Sequence, residues 1–212
     1  MSARPDTREQ ILDAAETLLQ QRGFNAFSYQ NISQPLGIRN AAVHYHFPTK
    51  GNLGAALIDR YRRRFHAWVA AHRRRGSDPA TLLNGYFAIP LNYLRHDNCV
   101  CPLGVLEAEF NAIPDDMRVA TRALDAEIRE FLAGVLRDGR EQGQFQFAGL
   151  PEAKALVVVA ALQGALQIAR VAGPTAFRDT LRQLKCDLGM DVRSATAAEG
   201  TGPGAHPSRE TN

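Results

Sequence analysis

Residues 99–118, CVCPLGVLEAEFNAIPDDMR, put two thiols two positions apart, just ahead of a predicted helix start. A helix N-terminus favours thiolate, so Cys101 is a candidate for reaction with electrophiles or oxidants. Cys99 stands where a resolving thiol would. The competing reading is that each cysteine is a small buried core residue. His96, Cys99 and Cys101, with Cys186 as a fourth group, also have the donor chemistry of zinc or copper sites. Their spacing matches no strong metal signature, so no metal or other cofactor is assigned.

Catalysis has less support. The chain has no Gly-rich loop after a strand, no HExxH and no GxSxG. Glu107 and Glu109 are two apart and diverge on a helix. A thiol-peroxidase or thiol-transfer reaction at Cys101 is the one enzymatic alternative. Metal sensing through His96, Cys99 and Cys101 is a second alternative, and the expectation is a protein that is not an enzyme.

Residues 28–47, SYQNISQPLGIRNAAVHYHF, form a second constellation. Ser28 can cap a short helix running to Leu36, and a second short helix covers about 40–47. Gly37 supplies the left-handed turn between them. Ile32, Leu36, Ile38 and Val43 are spaced to hold the pair against the preceding helix. This is helix-turn-helix geometry, whose second helix enters the DNA major groove. Pro35 lies in the last turn of the first short helix, which is expected to end early or bend.

The rest of the chain must position these groups, and it reads as helix nearly throughout. Thr7 with Gln10 suggests a capping box opening helix one, with Ile11, Leu12, Ala15, Leu18 and Leu19 as its apolar face. Thr49 can cap a long fourth helix ending near Gly76, whose stripe is Leu53, Leu57, Tyr61, Phe65 and Trp68. Further helices are expected from Asp78-Pro79 (with a kink or break at Pro90), over about 103–112, over about 115–142, over 151–173 and over 174–189. No segment alternates convincingly like a strand. About nine helices make an all-α fold: a helix-turn-helix domain over 1–50, a helical effector-binding and dimerisation domain over 51–190, and a disordered tail over 191–212.

Between residues 156 and 169 the only polar side chains are Gln163 and Gln167. A helix apolar on nearly every face needs burial on nearly every face. A homodimer through the helices at 151–189 is the simple explanation, and a central helix of a monomeric bundle is the other. The uncharged run at 155–169 is too short for a bilayer span of about 20 residues, and the N-terminus lacks the apolar run of a secretory signal.

The 212 residues are 45% hydrophobic and 22% charged, with a net charge of +3. This excludes collagen and a chain disordered throughout. Three cysteines are too few for a disulfide scaffold, and a reducing, cytoplasmic home is expected. Residues 1–76 carry 12 Lys/Arg against 5 Asp/Glu, whereas residues 77–212 carry 13 against 17. A basic first third suggests a polyanion partner for that part alone. Arg60, Arg62, Arg63, Arg64, Arg73, Arg74 and Arg75 all fall in the fourth helix, where a solvated basic face is the plainer reading.

Helix one ending in RGF, followed by SYQNIS, LGIRNAAVHYHFPTKGNL and a long fourth helix, resembles the tetracycline-repressor (TetR) family of bacterial regulators over residues 7 to about 60. The resemblance implies a double-stranded operator as partner, a repressor rather than an activator, and a small-molecule or electrophile effector. It places Ser28, Tyr29, Asn40, Ala41, Ala42, His44, Tyr45, His46 and Lys50 at or near DNA-facing positions. Asn40 suits an adenine edge and the methyls of Ala41 and Ala42 suit thymine. Tyr45, His46 and Lys50 suit phosphates. Arg39 stands where the family usually has a serine cap, so it can reach a phosphate or guanine instead, and His44 replaces a usual tyrosine. Cys101, Gly104, Glu109, Pro114 and Arg118 resemble one branch of the same family. Some members of that branch sense electrophiles or oxidants with this cysteine; others bind small molecules without it. For a reversible ligand the candidate walls are Trp68, Tyr86, Phe87, Tyr93, Phe110, Phe131 and Gln163. Effector binding is expected to tilt helix four and respace the reading heads.

Overall fold

A computed structural model describes residues 6–95 and 99–190. The expected tail at 191–212 and His96 lie outside the described residues, as does the metal reading that needs His96. Nine α-helices and one short 3-10 turn make up the described chain: α1 (Thr7–Arg22), α2 (Tyr29–Leu36), α3 (Asn40–His46), α4 (Lys50–Arg74), α5 (Pro79–Arg95), α6 (Pro102–Ala108), α7 (Asp115–Glu141), α8 (Pro151–Ala172) and α9 (Pro174–Asp187). No strand occurs among the described residues.

The first three helices close over Ile11, Leu12, Ala15 and Leu19 of α1, Ile32 of α2 and Val43 of α3, all fully buried. Helix α1 is capped one residue earlier than the sequence suggested: the Asp6 carboxylate accepts from Arg8 N, and Thr7 is already helical. The carboxylate is the stronger acceptor and it sits two residues before that orphan N–H. Helix α2 does not end early at Pro35. Gly37 adopts φ +64°, and Ile38 N and Gly37 N donate to the carbonyls of Ser33 and Gln34. This left-handed Schellman closure holds the last turn without a proline N–H.

Helix α4 leaves the first unit and packs along α1 and α7. It is capped by Thr49, whose hydroxyl accepts from Asn52 N. Leu53, Leu57 and Tyr61 are buried as expected, but Phe65 and Trp68 are only partly so. At Gly54 a Cβ would collide with Met117 Sδ, so the Met117 side chain of α7 packs directly on the α4 backbone. Helix α5 runs through Pro90 unbroken. The expected helix over 103–112 is a short α6 followed by a 3-10 turn at Phe110–Ala112.

Helices α7, α8 and α9 form the far side of the bundle. Helix α8 buries one face, Ala155, Val158, Leu162, Ala165, Leu166 and Ala169. The opposite face is open: Leu156 is 55%, Val157 52%, Ile168 56% and Val171 92% exposed. A single chain therefore does not bury this helix all round. With its flanking residues α8 reaches 22 residues, long and apolar enough by length and composition to cross a bilayer. Its buried face packs on α7 and α9 instead.

Candidate nucleic-acid interface and effector region

Ser28 caps α2 and Asn31 closes the box: the Asn31 Oδ1 accepts from Ser28 N at 2.8 Å and from its hydroxyl at 3.0 Å. Helix α3 starts at Arg39 without a side-chain cap, as expected from the missing serine. Arg39, Asn40, Ala41, His44 and Tyr45 are exposed, Tyr45 at 83%, while Ala42 and His46 are partly buried. One side of α3 is thus free over its whole length, and Val43 and Phe47 anchor the other.

Ser33, which no motif singles out, sits 4% exposed behind that face and donates its hydroxyl to Asn40 Oδ1. The bond orients the Asn40 amide with its NH₂ outward. A carbonyl oxygen has a second lone pair, so bidentate pairing with adenine is retained.

Two expected contact residues are placed differently. Tyr29 is 8% exposed, its hydroxyl donates to the Phe47 carbonyl at 2.7 Å, and its ring meets His44 edge-on at 4.6 Å. Burial raises its pKa to about 12. It joins α2 to the end of α3 and is not a surface group. The Lys50 ammonium lies 4.7 Å and 4.6 Å from the ring centres of Phe24 and Phe27. Desolvation lowers its pKa, against the field of Glu109. In this state Lys50 points into the junction between the two parts of the chain.

That junction is polar and specific. The Glu109 carboxylate accepts from Phe24 N at 2.9 Å, Asn25 N at 3.1 Å and Asn25 Nδ2 at 3.2 Å. Val100 N donates to the Gln20 carbonyl at 3.3 Å, and Arg170 donates to the Gln21 carbonyl at 2.7 Å. The end of α1 is therefore held from the segment between the two cysteines, from the end of α6 and from α8.

The arginines of α4 do not form a free basic face. Arg60 pairs with Glu9, Asp13 and Glu16 of α1, Arg64 with Glu16, Arg62 with Glu127 of α7, and Arg63 with Asp59. Arg73, Arg74 and Arg75 are exposed. They lie about 35 Å from Lys50, at the other end of a helix that rises about 1.5 Å per residue.

The candidate effector residues divide among three places. Trp68 and Phe131 pack together at 5.7 Å, and Phe131 lines an open groove of about 780 Å³ between α4 and α7 with Phe65, His66, Arg73 and Glu127. Phe110 and Gln163 line a smaller pocket of about 360 Å³ among α6, α7 and α8. Tyr86 and Tyr93 lie with Tyr61 within electrostatic reach of Cys101, and burial raises the pKa of all three phenols. The Tyr61 hydroxyl is buried without a hydrogen-bond partner among the described residues. Phe87 is 1% exposed and belongs to the core.

Cys99 is buried, Cys101 partly buried and Cys186 exposed on α9. Burial pushes the Cys101 thiol up and outweighs the N–H groups of Gly104 and Leu103, which favour thiolate. The expected lowering at the helix start is present but is the smaller effect. No cluster of three or more metal-ligating side chains occurs among the described residues.

The bundle and the exposed α3 define an all-helical helix-turn-helix DNA-binding protein. Residues 11–57 match the family described as bacterial regulatory proteins, tetR family, and residues 83–184 match the tetracyclin repressor-like C-terminal domain. The fold is similar to a TetR-family transcriptional regulator from Agrobacterium tumefaciens, at 31% identity and TM-score 0.79 over 85% of this chain and 96% of that one. It is also similar to a TetR regulator from Legionella pneumophila, at 26% identity and TM-score 0.78 over 88% and 99%. Among curated proteins, the HTH-type transcriptional repressor NemR of Escherichia coli K12 is 26% identical over 76% of this chain and 82% of its own length. The chain belongs to the TetR family. It is a DNA-binding transcriptional regulator and not an enzyme.

Proposed function

We propose that the protein is a homodimeric repressor that binds a palindromic operator through α2 and α3 and leaves it when a small molecule binds the helical body. The observation that carries this reading is the α3 face from Arg39 to Tyr45, exposed along its length and backed by the Ser33–Asn40 bond. Asn40 reads a base edge, Ala41 meets a thymine methyl, and Tyr45 and His46 contact phosphates. Arg39, with no cap to make, extends the contact set.

Two copies are needed to read a palindrome, and the open face of α8 supports their pairing: Leu156, Val157, Ile168 and Val171 leave water together on one side of the helix. Residues 1–50 act as the reading head and 51–190 as the regulatory body. Half-sites then fall on one face of the duplex, about one helical turn or a small multiple apart. An operator-binding protein works where chromosomal DNA is, in the cytoplasm. Repression follows from likeness to proteins named repressors, among them NemR and the KstR2 repressor of Mycolicibacterium smegmatis, 24% identical over 66% of this chain and 67% of that protein.

The test is selection of bound fragments from the source genome by the purified, reduced protein. Recovery of one palindromic sequence with two α3-sized half-sites is the expected result. No enrichment at low salt overturns the reading.

A further inference from the structure

The pocket among α6, α7 and α8 contains polar groups that its own walls do not satisfy. Thr121 lines this pocket at 1% exposure, and its buried hydroxyl has no hydrogen-bond partner among the described residues. Burying a hydroxyl unpaired is destabilising, so the position is unfavourable unless something else uses it. Beside it, the Glu107 carboxylate accepts from the Gln163 amide, and desolvation raises its pKa. One amide donor leaves most of the acceptor capacity of a carboxylate open. Around these groups Phe110, Leu156 and Val159 supply apolar wall. The volume, about 360 Å³, falls at the low end of the usual range for small-molecule sites, about 300–1,000 Å³.

The other charges lining this pocket bond one another or a ring, although Arg129 also lies within electrostatic reach of Glu107. Asp125 and Arg129 engage each other through three contacts at 2.8, 3.0 and 2.6 Å. Arg122 is exposed and its guanidinium lies over the Phe110 ring at 4.8 Å. Glu107 is the pocket charge to which, among the described residues, neither a cation nor a ring is bonded. A ligand that completes the site brings a positive donor to Glu107, a hydrogen-bonding atom to Thr121 and a short apolar body.

We propose that this pocket is the effector site and that it takes a small protonated amine on an apolar or aromatic body, bound through Glu107 and Thr121. Its place in the fold supplies the coupling. Glu107 and Glu109 diverge at the end of α6: the first faces the pocket, and the second holds Phe24 N and Asn25 N at the end of α1. A ligand drawing on Glu107 acts on the helix end that fixes the reading head. The coupling rests on the regulator reading above; the site and its ligand class do not.

Calorimetric titration of the full-length protein with 2-phenylethylamine, 2-phenylethanol and phenylacetate tests the class. The amine binds saturably, and the alcohol and the acid bind weaker by on the order of tenfold or more, as expected for a charge-assisted bond in a partly dry site. Glu107→Gln, which keeps shape, removes that preference and leaves the alcohol unchanged. Thr121→Val raises the melting temperature of the ligand-free protein yet weakens the amine, which a merely structural threonine would not do. Equal affinity for the three probes, unchanged amine affinity in Glu107→Gln, or no saturable amine binding at millimolar concentration overturns the proposal. Anisotropy on the selected operator separates the two readings. Amine-driven release lost in Glu107→Gln supports both. Amine binding without release overturns the coupling. Normal release of Glu107→Gln by another compound overturns the site and leaves the regulator standing.

Discussion

The carboxylate of Glu109 accepts the backbone N–H of Phe24 at 2.9 Å, across 85 residues of sequence. A side chain at the end of α6 thereby caps the turn that follows α1. Since the α1–α2 turn sets where α2 and α3 point, the regulatory body fixes the attitude of the reading head through one carboxylate.

Glu109→Ala removes three acceptor contacts at once and leaves Phe24 N and Asn25 N with fewer partners. A loss of about 1–3 kcal/mol in stability is expected, read as a lower midpoint in urea. Operator binding should become less selective for half-site spacing, because the head is less firmly held. Unchanged spacing preference in a set of operators with altered central gaps would show that the contact is structural only.

Asn40→Ala should weaken operator binding by about 1–3 kcal/mol and relax preference at one base position. Ser33→Ala leaves the Asn40 amide in place but frees it to rotate. It should cost less affinity, with the preference at that same position broadened. Competition binding with single-base variants of the operator reads both effects. A Ser33→Ala protein with undiminished discrimination would remove the positioning role.

Arg60 has the most connected side chain of α4, reaching Glu9, Asp13 and Glu16 of α1 with its own side chain only 11% exposed. These bonds tie α4 to the head. Arg60→Met keeps the aliphatic stem and removes the clamp. Exposed ion pairs are worth about 1 kcal/mol or less. A converging, largely covered guanidinium is worth more, because deleting it leaves three carboxylates facing one another. Thermal melting should drop most at low salt, and the deficit should shrink as salt rises. A salt-independent deficit would point to lost packing instead.

The sign of the Glu107 shift makes a pH-dependent prediction. Its pKa is raised in the folded chain, with desolvation the main cause. Folding therefore disfavours the charged form, and the penalty is present at neutral pH and absent below the ordinary glutamate range, where both states are protonated. Glu107→Gln should stabilise the ligand-free protein at pH 7 and make no difference in acid. Denaturant midpoints at the two pH values check it.

The helices were legible because their signals are local. The capping residues Ser28 and Thr49, the proline openings at 79, 151 and 174, and the glycine at 37 each act within a few residues. The exposed face of α3 was legible for the same reason. The surroundings of Tyr29 and Lys50 are not legible in the sequence, because they are assembled from Phe47 in one case and from Phe24, Phe27 and Glu109 in the other. No spacing rule records such contacts. The α4 arginines read as a basic surface in one dimension, since their carboxylate partners Glu9, Glu16 and Glu127 are 44 to 65 residues away. The effector aromatics had the right residue types, but which cavity each one lines depends on how α4 to α8 cross.

The cysteines should react in the order of their exposure and not in the order their motif suggests. Cys186 is exposed, Cys101 is partly covered with its thiol pushed up by burial, and Cys99 is 4% exposed. Thiolate is the reactive species, so alkylation near neutral pH should label Cys186 first. Labelling of Cys101 should become appreciable only as pH rises beyond the ordinary thiol range or as the helical body opens. Mass spectrometry of peptides after timed treatment with iodoacetamide gives the order directly. Because Val100 N bonds the Gln20 carbonyl at 3.3 Å, modification of Cys101 disturbs a strand of chain that touches α1. Once labelled there, the protein should bind its operator less tightly, whereas labelling at Cys186 should leave affinity unchanged. Early labelling of Cys101 at neutral pH, with prompt loss of operator binding, would establish a thiol sensor in place of a reversible-ligand switch.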